Sequence, residues 1–161
     1  MAPRFATDIV TFYHPGFWGL ESADAFRDWA VKNPERFWDR TMDALAEAGV
    51  TGIELTFAPG DIDSVLRAFG DASSFRHELQ ARGLSVVGAF IAESECPDWR
   101  DSDSLPAIVA DAERRASFLA DVGAGLLVAR AAHACDVGDA PALLRRRRVH
   151  DPDGRHRPHR R

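Results

Sequence analysis

The chain has 161 residues, 45% of them apolar and 28% charged, the balance of a soluble globular domain with a sizeable core. No run approaches the roughly 18–20 apolar residues that a bilayer crossing needs, and the opening Met-Ala-Pro-Arg-Phe lacks the basic-then-apolar pattern of a signal peptide. The net charge of −5 is uneven: residues 1–135 hold 12 Lys+Arg against 21 Asp+Glu, net −9, and residues 136–161 hold 8 Arg against 4 Asp, net +4. An acidic body has no evident affinity for nucleic acid or an anionic membrane. Cys96 and Cys135 make neither a disulfide framework nor a CxxC pair, so a cytoplasmic protein is expected.

Residues 5–13, FATDIVTFY, read as a first strand ending at the loop His14-Pro15-Gly16-Phe17-Trp18-Gly19, because two glycines and a proline cannot continue it. Ser22 then caps a short helix carrying Ala25, Phe26, Trp29 and Ala30 on one face. Asn33 and Pro34 suit the N-cap and first turn of a second helix, in which Phe37, Trp38, Thr41, Met42, Leu45 and Ala48 form the apolar stripe. Gly49 closes it, and Gly52 to Phe57 reads as a short strand before Pro59-Gly60 turns the chain.

A helix over Asp61–Phe69 and another over Ser73–Ala81 follow, stopped by Gly70 and Gly83. Leu84–Ile91 is the third strand, apolar enough to be a parallel strand covered on both faces. A polar loop over residues 92–104 precedes a helix capped by Ser104 and ended by Gly123, and Ala124–Ala129 is the fourth strand. Strands near residues 5, 51, 84 and 124, separated by helices, predict an α/β fold with a parallel sheet and right-handed crossovers. A doubly wound open sheet and part of a (β/α)8 barrel both fit, and in either the functional face is at the C-terminal strand ends.

After Arg130 the periodicity stops. Residues 131–161 end in LLRRRRVHDPDGRHRPHRR and hold four of the six histidines. They read as a disordered basic tail, as a nucleic-acid- or metal-binding tail, or, the reading preferred here, as the product of a shifted frame in an arginine-coding gene. His133, Cys135 and Asp136 match no closed metal site by spacing.

Three strand ends place polar groups on the functional face. Glu54 inside an apolar strand is costly to bury without a partner, so it is either paired with a buried arginine or placed to meet a polar ligand. His14 either braces its loop or touches a ligand, and Glu93 and Glu95 are either solvated loop charges or ligand contacts. Phe17 and Trp18 are either a packing cap or a wall for one face of a sugar ring. GxGxxG, P-loop, HExxH and GxSxG patterns are all missing from the sequence.

The segment D-x-V-T-F-Y-H-P-G-F-W-G, followed by a helix and A-G-V-T-G-I-E-L-T-F at Ala48–Phe57, resembles the sugar phosphate isomerase/epimerase group of xylose isomerase-like TIM barrels. It is also similar to inosose dehydratases and to endonuclease IV-type enzymes, the last disfavoured by the acidic body. The likeness spans residues 1–130 as about the first four of eight β/α units. It implies metal-assisted proton transfer on a small polyhydroxy carbonyl substrate, with a divalent Mn, Mg, Co or Zn ion held by strands of the second half. It further implies substrate-pocket positions at His14, Trp18, Glu54 and Glu93, and no tight metal site in this chain. The expectation is a truncated, inactive half-barrel with open edges that can pair with a second copy. The competing expectation is a non-enzymatic four-stranded module whose arginine tail binds nucleic acid.

Overall fold

The computed structural model describes residues 5–91 and 102–129. Four strands, β1 (Ala6–Asp8), β2 (Gly52–Leu55), β3 (Ser85–Ile91) and β4 (Leu127–Ala129), form one parallel sheet in the order β1-β2-β3-β4. Helices α1 (Ala23–Lys32) and α2 (Pro34–Glu47) connect β1 to β2. Helices α3 (Ile62–Phe69) and α4 (Ala72–Ala81) connect β2 to β3, and α5 (Leu105–Val122) precedes β4. The strand order never reverses. Among the described residues no helix is long and apolar enough to cross a membrane.

All five helices share one core with one face of the sheet. Ile53 and Leu55 of β2 and Val86 and Ala89 of β3 meet Phe26, Phe37, Met42, Val65, Phe75, Leu79 and Phe118 there. The opposite face carries Ala6, Asp8, Gly52, Glu54, Gly88 and Val128, and among the described residues no helix covers it. Among the described residues, then, helices cover β3 on one face only. Its register slips between Ile53 and Glu54, which pair with Val86 and Gly88, so that Val87 is an extra residue left 40% exposed on the open face.

Three of the helices enter their strands by the same device. Gly49, Gly83 and Gly123 take φ of 75°, 73° and 85°, and the following N–H reaches back five residues: Val50 to Leu45 O (3.0 Å), Leu84 to Leu79 O (2.9 Å) and Ala124 to Leu119 O (2.8 Å). This closure satisfies the last helical carbonyls and turns the next apolar residue into the core.

Several boundaries differ from the sequence reading. The first strand stops at Asp8 instead of running to Tyr13, because the Asp8 carboxylate accepts from Val10 N (2.7 Å) and caps a 3-10 turn over Ile9–Tyr13. Asn33 stands at the N-cap of α2 as expected, but its side chain makes no cap hydrogen bond there; its amide donates instead to Trp29 O (2.8 Å) of α1. The second strand is also shorter, ending at Leu55 where Thr56 N donates to Gly60 O (3.1 Å).

Thr41 lies fully buried in α2, and its Oγ1 has no hydrogen-bond partner. A desolvated, unpaired hydroxyl costs about 1–3 kcal/mol. Thr41→Val keeps the shape and removes the polar atom, so urea unfolding of that variant should show a gain of about 1 kcal/mol. A loss of that size would show that the hydroxyl is satisfied.

An ionic clip joins α5 to α3. Arg114 bonds Asp63 (2.8 Å) and Asp111 (2.9 Å), and the buried Arg115 bonds Asp111 (2.6 Å). Burial pushes the Asp111 carboxyl up, but hydrogen bonds from Arg115 and then Arg114, with their charges, hold it below its ordinary value of 3.8. A carboxyl depressed in the folded state adds stability above its unfolded pKa, and that contribution is lost as pH falls through the lower folded pKa. Thermal melts should therefore show this contribution constant at neutral pH and lost below about pH 4. Asp111→Asn should melt lower at pH 7 and lose less between pH 5 and the acid limit.

Candidate functional site

The loop after β1 is built by its own side chains. His14 is exposed, and its Nδ1 accepts from Gly16 N (3.2 Å), capping a second 3-10 turn over Pro15–Trp18. That contact is the loop-bracing role, and it leaves Nε2 as the ring atom available to a ligand. Trp18 is half-buried, with its indole N–H donating to Phe12 O (2.6 Å). Its ring stacks on Phe26 (5.8 Å) and Phe37 (5.5 Å) and meets Trp29 at 4.8 Å. Trp18 thus anchors the loop to the helix-side aromatic core.

Glu54 sits on the other face of the sheet, half-buried, in register with Asp8 of β1 and Gly88 of β3. Gly88 carries no side chain, and a Cβ there would lie 2.8 Å from Leu126 O. The Glu54 carboxylate therefore borders a strand position without a side chain, on the uncovered face. No arginine is paired with it among the described residues. Glu93 and Glu95 lie outside the described residues, as do Cys96 and the whole of residues 131–161.

Three residues shape this end of the sheet that the sequence reading did not single out. Asp8 is the strand neighbour of Glu54, and its position inside an apolar run was the available signal. Tyr13 stitches the first two strand ends together, since its hydroxyl donates to Phe57 O and accepts from Gly60 N (2.9 Å). Arg40 of α2 donates to Phe17 O (2.7 Å) and lies over the Phe17 ring at 4.6 Å. Arg40 also borders an open surface groove of about 750 Å³ on the helix side, with Phe17, Trp18, Trp29 and Arg36. That groove does not include His14 or Glu54.

Chemically, the strand ends offer one carboxylate on an open face, a second carboxylate in register with it, and an imidazole edge in the adjoining loop. Among the described residues no hydrogen bond or ion pair joins His14, Trp18 and Glu54, and no three His, Cys, Asp or Glu side chains converge as a metal cage would require. Comparison with protein-family models, with curated proteins and with solved structures gave no match.

Proposed function

We propose that residues 5–129 are the first four units of a xylose isomerase-like (β/α)8 barrel. On this reading the intact protein is a cytoplasmic sugar or sugar-phosphate isomerase or epimerase acting on a small polyhydroxy carbonyl compound. The observation that carries the reading is the unreversed strand order with every described helix on one face and Glu54 on the other. A doubly wound sheet needs a reversal of strand order and helices on both faces. A barrel winds in one direction, keeps its helices outside and works at the C-terminal strand ends.

In this arrangement Glu54 meets substrate hydroxyls from the barrel interior, where a carboxylate accepts hydrogen bonds from a polyol or takes part in proton transfer. His14 presents Nε2 from the loop above, and Trp18 holds that loop in place. Glu93 belongs to the corresponding loop of the third unit. The divalent metal of the resembled family polarises the substrate carbonyl when bound. The described residues do not fit that cage, so no step here runs through it, and its ligands are assigned to later strands. By itself the 161-residue chain should then not turn over ketoses; turnover abolished by EDTA and restored by Mn²⁺ would sink that statement.

The deciding test is to translate the source DNA beyond codon 129 in all three forward frames. Four further β/α units with carboxylate and histidine at their strand ends, in any frame, support the barrel. The lack of such units in every frame overturns it.

A further inference from the structure

The brace on His14 also fixes what its imidazole can do. His14 stands in extended backbone (φ −73°, ψ 119°) at the start of the 3-10 turn over Pro15–Trp18. Pro15 has no N–H, so Gly16 N is the first donor that the turn must place, and it points at His14 Nδ1, 3.2 Å away. The ring lies close against Gly16: a Cβ there would stand 3.1 Å from both Nδ1 and Cε1.

The rest of the turn is held as well. Phe17 N donates to His14 O (3.1 Å), and Gly19 N and Leu20 N donate to Gly16 O (3.2 Å) and Pro15 O (3.0 Å). Arg40 of α2 donates to Phe17 O (2.7 Å), and the Trp18 indole to Phe12 O (2.6 Å). His14 thus caps a turn whose far end is tied to a helix, and the ring has a set partner for Nδ1.

A ring nitrogen that accepts from a backbone N–H does not itself carry a proton, so in a neutral imidazole the proton sits on the other nitrogen. We propose that neutral His14 is held in the Nε2–H form, and that at the strand ends it donates a hydrogen bond to a substrate oxygen instead of serving through Nε2 as a base or a metal ligand. The tautomer follows from the turn alone; the substrate oxygen rests on the isomerase reading above. Either other role needs a lone pair on Nε2, and with it a proton on Nδ1. That proton would face the Gly16 N–H, replacing a hydrogen bond by two opposed donors. The groups at this end of the sheet then divide by chemistry. Glu54 brings carboxylate oxygens that accept from hydroxyls, and His14 brings the donor that a carbonyl oxygen requires.

Nitrogen NMR of the full chain at about pH 8, where neutral imidazole prevails in general, tests the proposal. The His14 ring is identified by its loss in His14→Gln. The expected spectrum is that of one tautomer, with Nδ1 bare and Nε2 protonated, whereas an unbraced ring exchanges between both and gives averaged shifts. Gly16→Pro deletes the donor, and Gly16→Ala crowds the ring; both should move His14 towards the averaged pattern, with urea unfolding confirming that each variant folds. Zn²⁺, read at the His14 resonances alone, should bind there about tenfold more tightly in Gly16→Pro than in the parent chain. Averaged or Nδ1–H shifts in the parent chain would overturn the proposal, and that spectrum decides even if neither variant folds. So would folded variants that leave the His14 shifts unmoved, or equal Zn²⁺ affinity at His14 in parent and folded variant. The spectrum does not depend on what the DNA encodes beyond codon 129, so the tautomer and the barrel reading can fail separately.

Discussion

Trp38→Ala should cost about 3–5 kcal/mol of folding stability, much of the 5–15 kcal/mol that a domain of this kind possesses. Trp38 is fully buried in α2 and joins three helices at one point. Its indole N–H donates to Ser64 Oγ of α3 (3.1 Å), and its ring meets Phe75 of α4 edge-on at 5.2 Å. Truncation leaves a cavity beside Phe37 and Phe75 and strips a buried hydroxyl of its donor. Trp38→Phe separates the two contributions, since it keeps most of the ring and loses the hydrogen bond, for an expected cost of about 1–3 kcal/mol. The check is the urea midpoint of each variant. Equal losses for the two variants would place the energy in the Ser64 bond instead of the packing.

Gly60→Ala should destabilise by about 1–3 kcal/mol or more, for want of space and not of backbone freedom. Gly60 is not among the residues with positive φ. A Cβ there would overlap Ile9 Cδ1, and would stand 2.8 Å from Ile9 Cγ1 and 2.5 Å from the Tyr13 hydroxyl. Ile9 is fully buried beneath the turn, so it has little room to retreat. The same displacement would strain the Tyr13 bridge between the ends of β1 and β2, on which the His14 loop follows directly. Ile9→Val removes the atom in direct overlap, so the double variant should be more stable than the sum of the two single changes implies. Gly19→Ala is the contrast: nothing lies within 4 Å of its Cβ position, and its φ of 71° should cost only about 1 kcal/mol. Equal effects at Gly19 and Gly60 would count against the steric account.

The helices were legible in the sequence because their signals are local. The stripe of α2 from Phe37 to Leu45 is buried as its spacing predicts, and Ser22, Asp61 and Gly123 mark helix ends through hydrogen bonds that span only a few residues. The end of β1 was not legible. FATDIVTFY has strand-forming residues throughout, and only the folded chain shows the Asp8 carboxylate turning back on Val10 N. Asn33 holds the N-cap position that the sequence implies, but one side chain can serve the helix before it or the helix after it, and here its amide bonds Trp29 O of the former.

The candidate site was legible as a list of residues and not as an arrangement. Glu54 stood out as a carboxylate in an apolar strand, and the structure places it on the uncovered face beside Gly88. Trp18 stood out as an aromatic at a strand end. Its role depends on which rings it meets, and Phe26 and Phe37 lie far enough along the chain that no local pattern pairs them.

By itself the sequence determined the alternation of helices and strands, the glycine closures that repeat at Gly49, Gly83 and Gly123, and the acidic character of the body. Each of these depends on residue type and short-range spacing. Only the tertiary structure decided that the strands lie in the order β1-β2-β3-β4, that all five helices share one face, and that Val87 is displaced to the other. Those outcomes depend on contacts between residues dozens of positions apart, where packing and strand register choose among arrangements that the local pattern leaves equal.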